Sequence, residues 1–225
     1  MRKGKLIVIE GTDCSGKETQ SRRLLKRLKE SGIKVEVMSF PMYDTPTGEI
    51  IASNILGKEN YGKCTFPEGT TNIPPKVAAL YYAADRAYNI NKIENKLNEG
   101  ITVILDRYVE SNMGHQGAKL DSEKEKIEML LWLEHLEFNL LDLPKPDKVI
   151  FLYLPFEVGK KLRECRSEVL DGAEKDENHL KNAEETYLLM SERYKFDVIN
   201  CAENNLVRSI EDINDEIYKI VKEFI

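Results

Sequence analysis

Short apolar runs along this chain alternate with longer stretches in which apolar residues recur every three or four positions. The short runs are typical of strands buried on both faces of a parallel sheet, and the longer stretches are typical of the helices that cover it. The predicted strands are residues 6–9, 35–40, 101–105, 149–154 and 196–199. This pattern predicts an α/β fold with three layers, in which a five-stranded parallel sheet is flanked by helices.

Glycine and proline mark the ends of three predicted helices. The helices cover residues 17–31, a stretch that follows Pro74 and Pro75 and runs to about residue 98, and residues 210–225. Gly32 and Gly100 follow the first two, where a glycine commonly ends a helix. Because no repeat or flexible linker divides the chain, we expect one domain over residues 1–225. Ligands of such sheets bind beyond the carboxyl ends of the strands, so the loops that follow the strands are the expected site.

The charge balance and the cysteines exclude several classes of protein. Lys and Arg number 33 against 39 Asp and Glu, a formal net charge of −6, whereas proteins that bind nucleic acid usually present a basic face. No apolar run is long enough for a membrane span or a signal peptide, so we expect a cytoplasmic protein. The four cysteines are far apart and lack C-x-x-C spacing, which argues against both zinc and disulfides.

A glycine-rich segment, residues 11–17, follows the first predicted strand and precedes a predicted helix. Its glycines let backbone N–H groups converge on phosphate oxygens, the helix N-terminus adds partial positive charge, and Lys17 can reach the β and γ phosphates. The alternative is a chance glycine turn. We predict that the phosphates of ATP are bound by Gly11, Thr12, Asp13, Cys14, Ser15, Gly16, Lys17, Glu18 and Thr19.

The residue after the lysine departs from the usual phosphate loop. That position normally holds Ser or Thr, whose hydroxyl binds Mg²⁺, but here it is Glu18, followed by Thr19. We favour a structural role, since a carboxylate is stabilising in the first turn of a helix. The alternative is that the metal has moved to other ligands, such as Asp13, Asp106 or Thr19.

Asp106 and Arg107 follow the third predicted strand, which is usually next to the first strand in this type of fold. A carboxylate there can bind Mg²⁺ or orient an acceptor phosphate, and Arg107 can neutralise charge on the transferring group. The alternative is that Asp106 caps the next helix and forms a salt bridge with the arginine.

Polar side chains follow in two further groups. Ser111, Asn112 and Gln116 are spaced along one side of a helix, and amide side chains can hydrogen-bond the edge of a base. Tyr82 and Arg86 are four apart on the long helix and share a face, where a ring can stack on a base while a guanidinium binds a carbonyl or phosphate. The alternative for the second group is a core tyrosine and a solvated arginine.

Taken together, these residues resemble the thymidylate kinase family. The matching elements are Glu10-Gly11-Thr12-Asp13-x-x-Gly16-Lys17-x-Thr19-Gln20, Phe40-Pro41-x-Tyr43, Asp85-Arg86, Asp106-Arg107-Tyr108-x-x-Ser111-Asn112-x-x-x-Gln116 and Leu143-Pro144-Lys145-Pro146-Asp147. They occur in family order and at family-like spacing, and the resemblance runs from the N-terminus to at least Glu174.

The resemblance implies a site for dTMP. Its residues would be Asp13, Phe40, Pro41, Tyr43, Tyr82, Arg86, Arg107, Ser111, Asn112 and Gln116. In that site Tyr82 would stack on the thymine, Arg86 would bind its carbonyl and Arg107 would contact the acceptor phosphate. Two positions depart from the family: Met42 stands where many relatives carry Arg, and His115 where some carry a Tyr that helps to exclude a 2′-hydroxyl.

The resemblance also implies a flap that closes over ATP, at about residues 163–176. Because Cys14 and Ser15 are neutral, the basic residues near ATP would come from this flap. Arg163 and Arg166 are the candidates, followed by Asp171-x-x-Glu174, and the alternative is that the two arginines lie on a solvated helix face.

The implied reaction transfers the γ-phosphoryl group of ATP to dTMP, giving dTDP and ADP, in dTTP synthesis. The catalytic residues would be Lys17, Asp106, Arg107, Arg163 and Arg166, with Mg²⁺ held by Asp13 and Asp106. Relatives are typically homodimers, so we expect one here. Two other functions are alternatives. One is a deoxynucleoside kinase. The other is a regulatory protein that binds nucleotides without turnover, which the departures from the family at Glu18 and Met42 would allow.

Overall fold

The computed structural model describes residues 3–58, 60–165 and 169–225. Its central sheet is parallel and has the strand order β2-β3-β1-β4-β5. The strands are β1 (Leu6–Gly11), β2 (Val35–Ser39), β3 (Thr102–Asp106), β4 (Lys148–Tyr153) and β5 (Asp197–Asn200). The predicted five-stranded sheet is confirmed, and each predicted strand lies within two residues of the observed one.

Helices cover both faces of this sheet. They are α1 (Lys17–Glu30), α2 (Pro46–Ile50), α3 (Pro75–Asn98), α4 (Val109–Gly117), α5 (Glu123–Glu134), α6 (Phe156–Glu164), α7 (Glu177–Tyr194) and α8 (Ile210–Phe224). Two π-helical segments, Ile51–Ile55 and His135–Leu140, continue α2 and α5. A 3₁₀ turn at Thr70–Asn72 and a hairpin of β6 (Ala202–Glu203) and β7 (Leu206–Val207) complete the described elements, and none of these four was predicted.

The alternation of side chains along β1 builds two cores. Leu6 and Val8 pack into one hydrophobic cluster, and Ile7 and Ile9 pack into the other on the opposite face. All of β1 is buried because helices lie on both sides, which is why the run contains no alternating polar positions before Glu10.

The register of the sheet determines where the chemistry is. In β1, Ile9 pairs with Asp106 of β3 and with Ile150 of β4. The glycine-rich segment, whose first residue ends β1, and the Asp106–Arg107 pair at the end of β3 therefore meet at one edge of the sheet, as expected from a third strand that lies next to the first.

Within the described ranges of the chain, none of the helices is both long enough and apolar enough to cross a membrane.

Candidate active site

A cavity of about 650 Å³ lies at the carboxyl ends of the first three strands, a volume suited to a small-molecule ligand. Its wall carries all ten side chains predicted to bind the acceptor, together with Glu18 of the phosphate loop and Asp106. These are Asp13, Glu18, Phe40, Pro41, Tyr43, Tyr82, Arg86, Asp106, Arg107, Ser111, Asn112 and Gln116. The other predicted loop residues are Gly11, Thr12, Cys14, Ser15, Gly16, Lys17 and Thr19, and they are neighbours in the chain of Asp13 and Glu18. Arg166 lies outside the described residues.

The glycine-rich loop needs a glycine at each end, at Gly11 because of a close contact and at Gly16 because of its backbone angle. A side chain at Gly11 would meet the Leu152 carbonyl oxygen at 2.6 Å, and Gly16 has a φ of 81° in the left-handed region. Thr12 fixes the loop to the end of β4, because its Oγ1 donates to Leu154 O at 2.7 Å and accepts from Leu154 N at 2.8 Å.

Lys17 is buried at the centre of this loop. Its Nζ donates to Gly11 O and to Thr12 O, both at 2.9 Å. Burial, with the nearby positive charge of Arg107, lowers the pKa of Lys17 to about 8. The ammonium group is therefore held among backbone carbonyls, within a loop whose N–H groups can bind phosphate.

Glu18 is exposed and forms a salt bridge of 2.6 Å with Arg22, one turn along α1. This contact fits the favoured structural role of a first-turn carboxylate. Thr19 is exposed as well.

Glu10 is a buried carboxylate that the sequence did not single out as functional. It accepts hydrogen bonds from Gly11 N at 3.0 Å, Ser111 Oγ at 2.6 Å and Tyr187 OH at 3.3 Å. Arg107 Nη1 lies 4.0 Å from the same carboxylate. Glu10 thus connects the phosphate loop to α4 and places its negative charge beside Arg107. A lone Glu at the end of an apolar strand was the available signal, because a buried charge requires partners.

Asp106 and Arg107 do not form the helix cap that was one alternative. The N-cap of α4 is Tyr108, and Asp106 Oδ1 is buried with no hydrogen-bond partner among the described residues. Burial raises the pKa of Asp106, although the nearby Arg107 and Lys17 oppose this shift. Arg107 has a φ of 70°, a strained conformation for a residue with a side chain, and its Nη1 donates to Ser111 Oγ at 3.4 Å.

Arg86 is buried, so the alternative of a solvated arginine is wrong. Its Nη2 donates to Glu137 Oε1 at 2.6 Å, its Nε donates to the other oxygen of Glu137, and its Nη1 donates to Tyr108 O at 3.3 Å. Although burial opposes the charged form, Glu137 holds the pKa of Arg86 above its usual value. Glu137 is fully buried and was not predicted from sequence.

Amide groups of α4 present acceptors to the cavity. Asn112 Nδ2 donates to Ala79 O at 3.1 Å and to Glu137 Oε1 at 2.9 Å. Asn112 Oδ1 and Gln116 Oε1 are buried and have no partner among the described residues. Both side chains line the cavity, where such atoms can accept hydrogen bonds from a ligand.

Aromatic residues form the remaining wall. Tyr82 and Tyr43 are partly buried, and burial raises the pKa of each phenol, so both stay neutral. Phe40 packs against Tyr108 with ring centroids 5.9 Å apart. The side chain of Met42 lies in the hydrophobic core instead of on the cavity wall, and its backbone N–H donates to Asp85 Oδ2 at 3.0 Å.

The flap arginine Arg163 lies near the end of α6 and contacts the glycine loop. Its Nη1 donates to Asp13 Oδ2 at 2.7 Å, and its Nη2 is buried without a partner among the described residues. The alternative of a solvated helix face is therefore wrong for Arg163. Burial raises the pKa of Asp13, but Arg163 and Lys17 outweigh it and the net shift is downward.

Residues 171–174 close one side of the cavity. Asp171 Oδ1 accepts from Glu174 N, and Glu174 Oε2 accepts from Asp171 N, both at 3.0 Å, so the two carboxylates form a reciprocal turn. Gly172 N donates to Leu56 O at 3.0 Å, which joins this segment to the end of the first π-helical segment.

His115 is partly buried on the cavity wall against the buried His179. The rings are stacked with centroids 5.4 Å apart, and Nδ1 of His115 lies 3.1 Å from Nε2 of His179. Burial and the neighbouring ring lower the pKa of His115 well below its usual value, and burial lowers that of His179 to about 4. Both rings are therefore neutral near pH 7.

Two carboxylates, Asp13 and Asp106, are the candidate metal ligands. Both line the cavity, and Asp106 Oδ1 is an unpartnered acceptor. Elsewhere in the described chain, as here, no group of three or more His, Cys, Asp or Glu is placed to hold a metal. This donor set fits a Mg²⁺ ion that keeps water and phosphate ligands, because Mg²⁺ is commonly bound by only one or two protein carboxylates.

Comparisons with known proteins agree in pointing to one family. The family model described as thymidylate kinase matches residues 9–217. The chain is 33% identical to the thymidylate kinase of Homo sapiens over 153 residues, which are 68% of this chain and 62% of that protein. It is 30% identical to the thymidylate kinase of Plasmodium falciparum over 221 residues, covering 98% of this chain and 90% of that protein. The solved structure of thymidylate kinase from Candida albicans shares the fold, with a TM-score of 0.74, 24% identity and coverage of 99% of this chain and 93% of that one.

Proposed function

This chain belongs to the thymidylate kinase family, and we propose that its 650 Å³ cavity is where dTMP meets the γ-phosphate of ATP. The enzyme transfers the γ-phosphoryl group of ATP to dTMP and releases dTDP and ADP, a step in dTTP synthesis. The observation that supports this site most strongly is a phosphate loop with a buried lysine beside a cavity lined by a guanidinium and by amide oxygens that have no partner among the described residues.

The donor phosphates are bound by the loop after β1. Backbone N–H groups of residues 11–17 and the N-terminus of α1 attract the phosphate oxygens. Lys17 exchanges its carbonyl partners for the β and γ phosphates when ATP binds, which restores full charge to its ammonium group.

The acceptor base occupies the wall formed by α3 and α4. Tyr82 stacks on the thymine ring, and the remaining N–H groups of Arg86 donate to a ring carbonyl. Asn112 Oδ1 and Gln116 Oε1 are the acceptors for the imide N–H. Phe40, Pro41 and Tyr43 line the part of the cavity that lies toward the sugar and monophosphate.

The transfer itself requires positioning and charge neutralisation. A phosphate oxygen of dTMP forms a bond to the γ-phosphorus while the bond to the bridging oxygen of ADP breaks. Because the acceptor phosphate is already ionised near pH 7, no general base is needed. Arg107 holds the acceptor phosphate, and Lys17 and Arg163 neutralise charge on the transferring group.

Mg²⁺ is the metal that this chemistry uses, and Asp13 and Asp106 would hold it with the phosphates. When bound, the ion neutralises negative charge on the phosphate oxygens. The chain's own contribution is to keep Asp13 ionised, through Arg163 and Lys17, and to leave one oxygen of Asp106 without a partner in the part of the chain that the structure describes.

We also propose that the enzyme is a homodimer built on α3. The exposed apolar residues of that helix recur at helical spacing and share one side: Val77, Leu80, Tyr81, Ala84 and Tyr88. A second copy can cover this stripe through a two-fold contact in which both partners use the same face. Leu80→Glu is expected to give a monomer in sedimentation equilibrium, and an unchanged mass would rule out this face. The cytoplasmic location stays a prediction.

A coupled assay of ADP release tests the reaction and its rival. The enzyme is supplied with ATP and, separately, with dTMP, dUMP, dCMP, dGMP or thymidine. We expect the highest kcat/KM with dTMP. Fast turnover of thymidine without turnover of dTMP would instead establish a deoxynucleoside kinase, and binding without turnover would establish a regulatory protein.

A further inference from the structure

Glu137 is not one of the residues that line the cavity, yet its contacts are typical of a residue with a functional role. It lies in the π-helical segment His135–Leu140 and is fully buried. Short π-helical insertions are frequent at functional sites because they turn one side chain out of the regular helical order. Burying a carboxylate costs free energy unless the group is paired and hydrogen-bonded. The partners of Glu137 therefore indicate what it does.

Glu137 accepts hydrogen bonds from Arg86 and Asn112, the two cavity residues that are proposed to hydrogen-bond the base. Oε1 accepts from Arg86 Nη2 at 2.6 Å and from Asn112 Nδ2 at 2.9 Å, and the other oxygen accepts from Arg86 Nε. One carboxylate therefore fixes both a guanidinium on α3 and an amide on α4.

These contacts determine which way the amide of Asn112 points. Both neighbours of the amide nitrogen, Glu137 Oε1 and Ala79 O, are acceptors, so this position requires an N–H donor. The opposite atom, Oδ1, is consequently held as an acceptor, and it is buried without a partner among the described residues. A side chain without an acceptor in place of Glu137 would leave Ala79 O as the one acceptor of these two.

The cavity then presents a guanidinium donor from Arg86 and an amide acceptor from Asn112. A base that offers a carbonyl oxygen next to a ring N–H, as thymine and uracil do, matches this order. Cytosine offers an amino group next to an unprotonated ring nitrogen, which reverses both hydrogen bonds. Sites built to hydrogen-bond one edge reject the mismatched edge strongly, because buried groups are left unpaired.

We infer that Glu137 is a positioning residue that makes this enzyme selective for keto pyrimidines over amino pyrimidines, by fixing the donor of Arg86 and the acceptor of Asn112. The inference rests on the proposed function, since it concerns the acceptor of the same reaction. Glu137 does not touch the substrate. It acts through the two residues that do.

The test compares Glu137→Gln with the native enzyme, using dTMP and dCMP as acceptors. Glutamine keeps the size of the side chain but offers only one acceptor oxygen. Its amide nitrogen opposes Arg86 Nε if it takes the place of Oε2, and opposes both Arg86 Nη2 and Asn112 Nδ2 if it takes the place of Oε1. We expect kcat/KM for dTMP to fall roughly 10- to 100-fold, mainly through KM, while KM for ATP changes by less than about twofold. The ratio of kcat/KM for dTMP to that for dCMP should fall by about tenfold or more.

Glu134→Gln is the matched control, because Glu134 ends α5 and pairs with the exposed Lys145 at 3.2 Å. It should leave both acceptors unaffected. An unchanged dTMP-to-dCMP ratio in Glu137→Gln, with equal losses for both acceptors, would show a purely structural role and overturn the inference.

A second variant covers the case in which Glu137→Gln does not fold. Asn112→Ala leaves the pair of Arg86 and Glu137 in place and removes the fixed acceptor. It should also lower the dTMP-to-dCMP ratio, and an unchanged ratio would contradict the donor–acceptor pattern. If the native enzyme itself did not phosphorylate dTMP, the proposed function would fail, whereas a normal native enzyme with unaffected variants would refute only the role of Glu137.

Discussion

Arg163 of α6 donates a hydrogen bond of 2.7 Å to Asp13 Oδ2 in the glycine loop, across 150 residues of sequence. The same guanidinium keeps its Nη2 buried without a partner among the described residues. A buried N–H donor beside a phosphate loop is suited to an anionic ligand, because it would gain there the hydrogen bond it lacks. Asp13 thus holds Arg163 where its Nη2 can donate to a phosphate in the glycine loop.

Replacing Arg163 with Ala should lower kcat on the order of 10³-fold, since an arginine that neutralises the transferring group contributes about that much in related chemistry. The dissociation constant for ATP, measured by calorimetry, should change far less. Lys161→Ala is the control, because Lys161 lies exposed on the same helix. Equal losses of kcat in the two variants would show that Arg163 does not act in the transfer step.

Replacing Arg107 with Ala should separate ATP binding from transfer. Arg107 lies beside Glu10 on the cavity wall where we propose that the acceptor binds, whereas the proposed site of the ATP phosphates is the glycine loop. We expect kcat/KM for dTMP to fall roughly 10²- to 10³-fold or more while ATP affinity stays within a few fold. Arg193→Ala, at an exposed position of α7, should have normal activity. Full activity of the Arg107 variant would refute its role.

The pH dependence of kcat/KM for ATP should report Lys17. Burial lowers its pKa to about 8, and the charged form exists below that pKa. As pH rises through 8 the free enzyme loses the ammonium group, so kcat/KM for ATP should decline on the alkaline side. The alkaline decline of kcat should occur at a higher pH than the decline of kcat/KM, because bound phosphates favour the charged form of Lys17.

Lys119 provides the control for this assignment, since burial also lowers its pKa to about 8. Its Nζ donates to Ile73 O at 2.9 Å, away from the glycine loop. The alkaline decline should persist in Lys119→Met. A flat profile between pH 7 and 10 in the native enzyme, or loss of the decline in the Lys119 variant, would contradict the assignment to Lys17.

The buried pair of Arg86 and Glu137 should matter for stability as well as for selectivity. Arg86→Met leaves a fully buried carboxylate without its cation, a change that typically costs about 3–5 kcal/mol of unfolding free energy. Urea denaturation followed by circular dichroism measures this loss. Glu18→Ala removes only an exposed salt bridge with Arg22 and should barely move the midpoint. Similar midpoints for the two variants would contradict the burial of the Arg86 pair.

The sequence predicted those parts of the fold that depend on local periodicity. The strands and the helices α1, α3 and α8 repeat apolar residues over enough positions to be recognised. The hairpin of β6 and β7 was missed because each strand has only two residues. Its turn did leave a signal, since Asn204 and Asn205 both adopt positive φ, as the tight turn of a hairpin requires.

Of the candidate site, too, only a part could be predicted from the sequence. Asp106 and Arg107 lie at the end of β3 and Lys17 lies beyond the loop that follows β1, so the sheet brings them together once the strand order is known. Glu137 is 51 residues from Arg86 in the chain and reaches it from a π-helical segment, whose register no regular period describes. Its partnership depends on tertiary packing alone.

The most direct test of the account is the formation of labelled dTDP from γ-labelled ATP and dTMP, compared with dCMP at equal concentration. We predict rapid labelling of dTMP, which Arg107→Ala abolishes, and at least about 100-fold slower labelling of dCMP. Labelling of dCMP as fast as dTMP, or no dTDP at all from the native enzyme, would contradict the assignment of this cavity to thymine recognition and phosphoryl transfer.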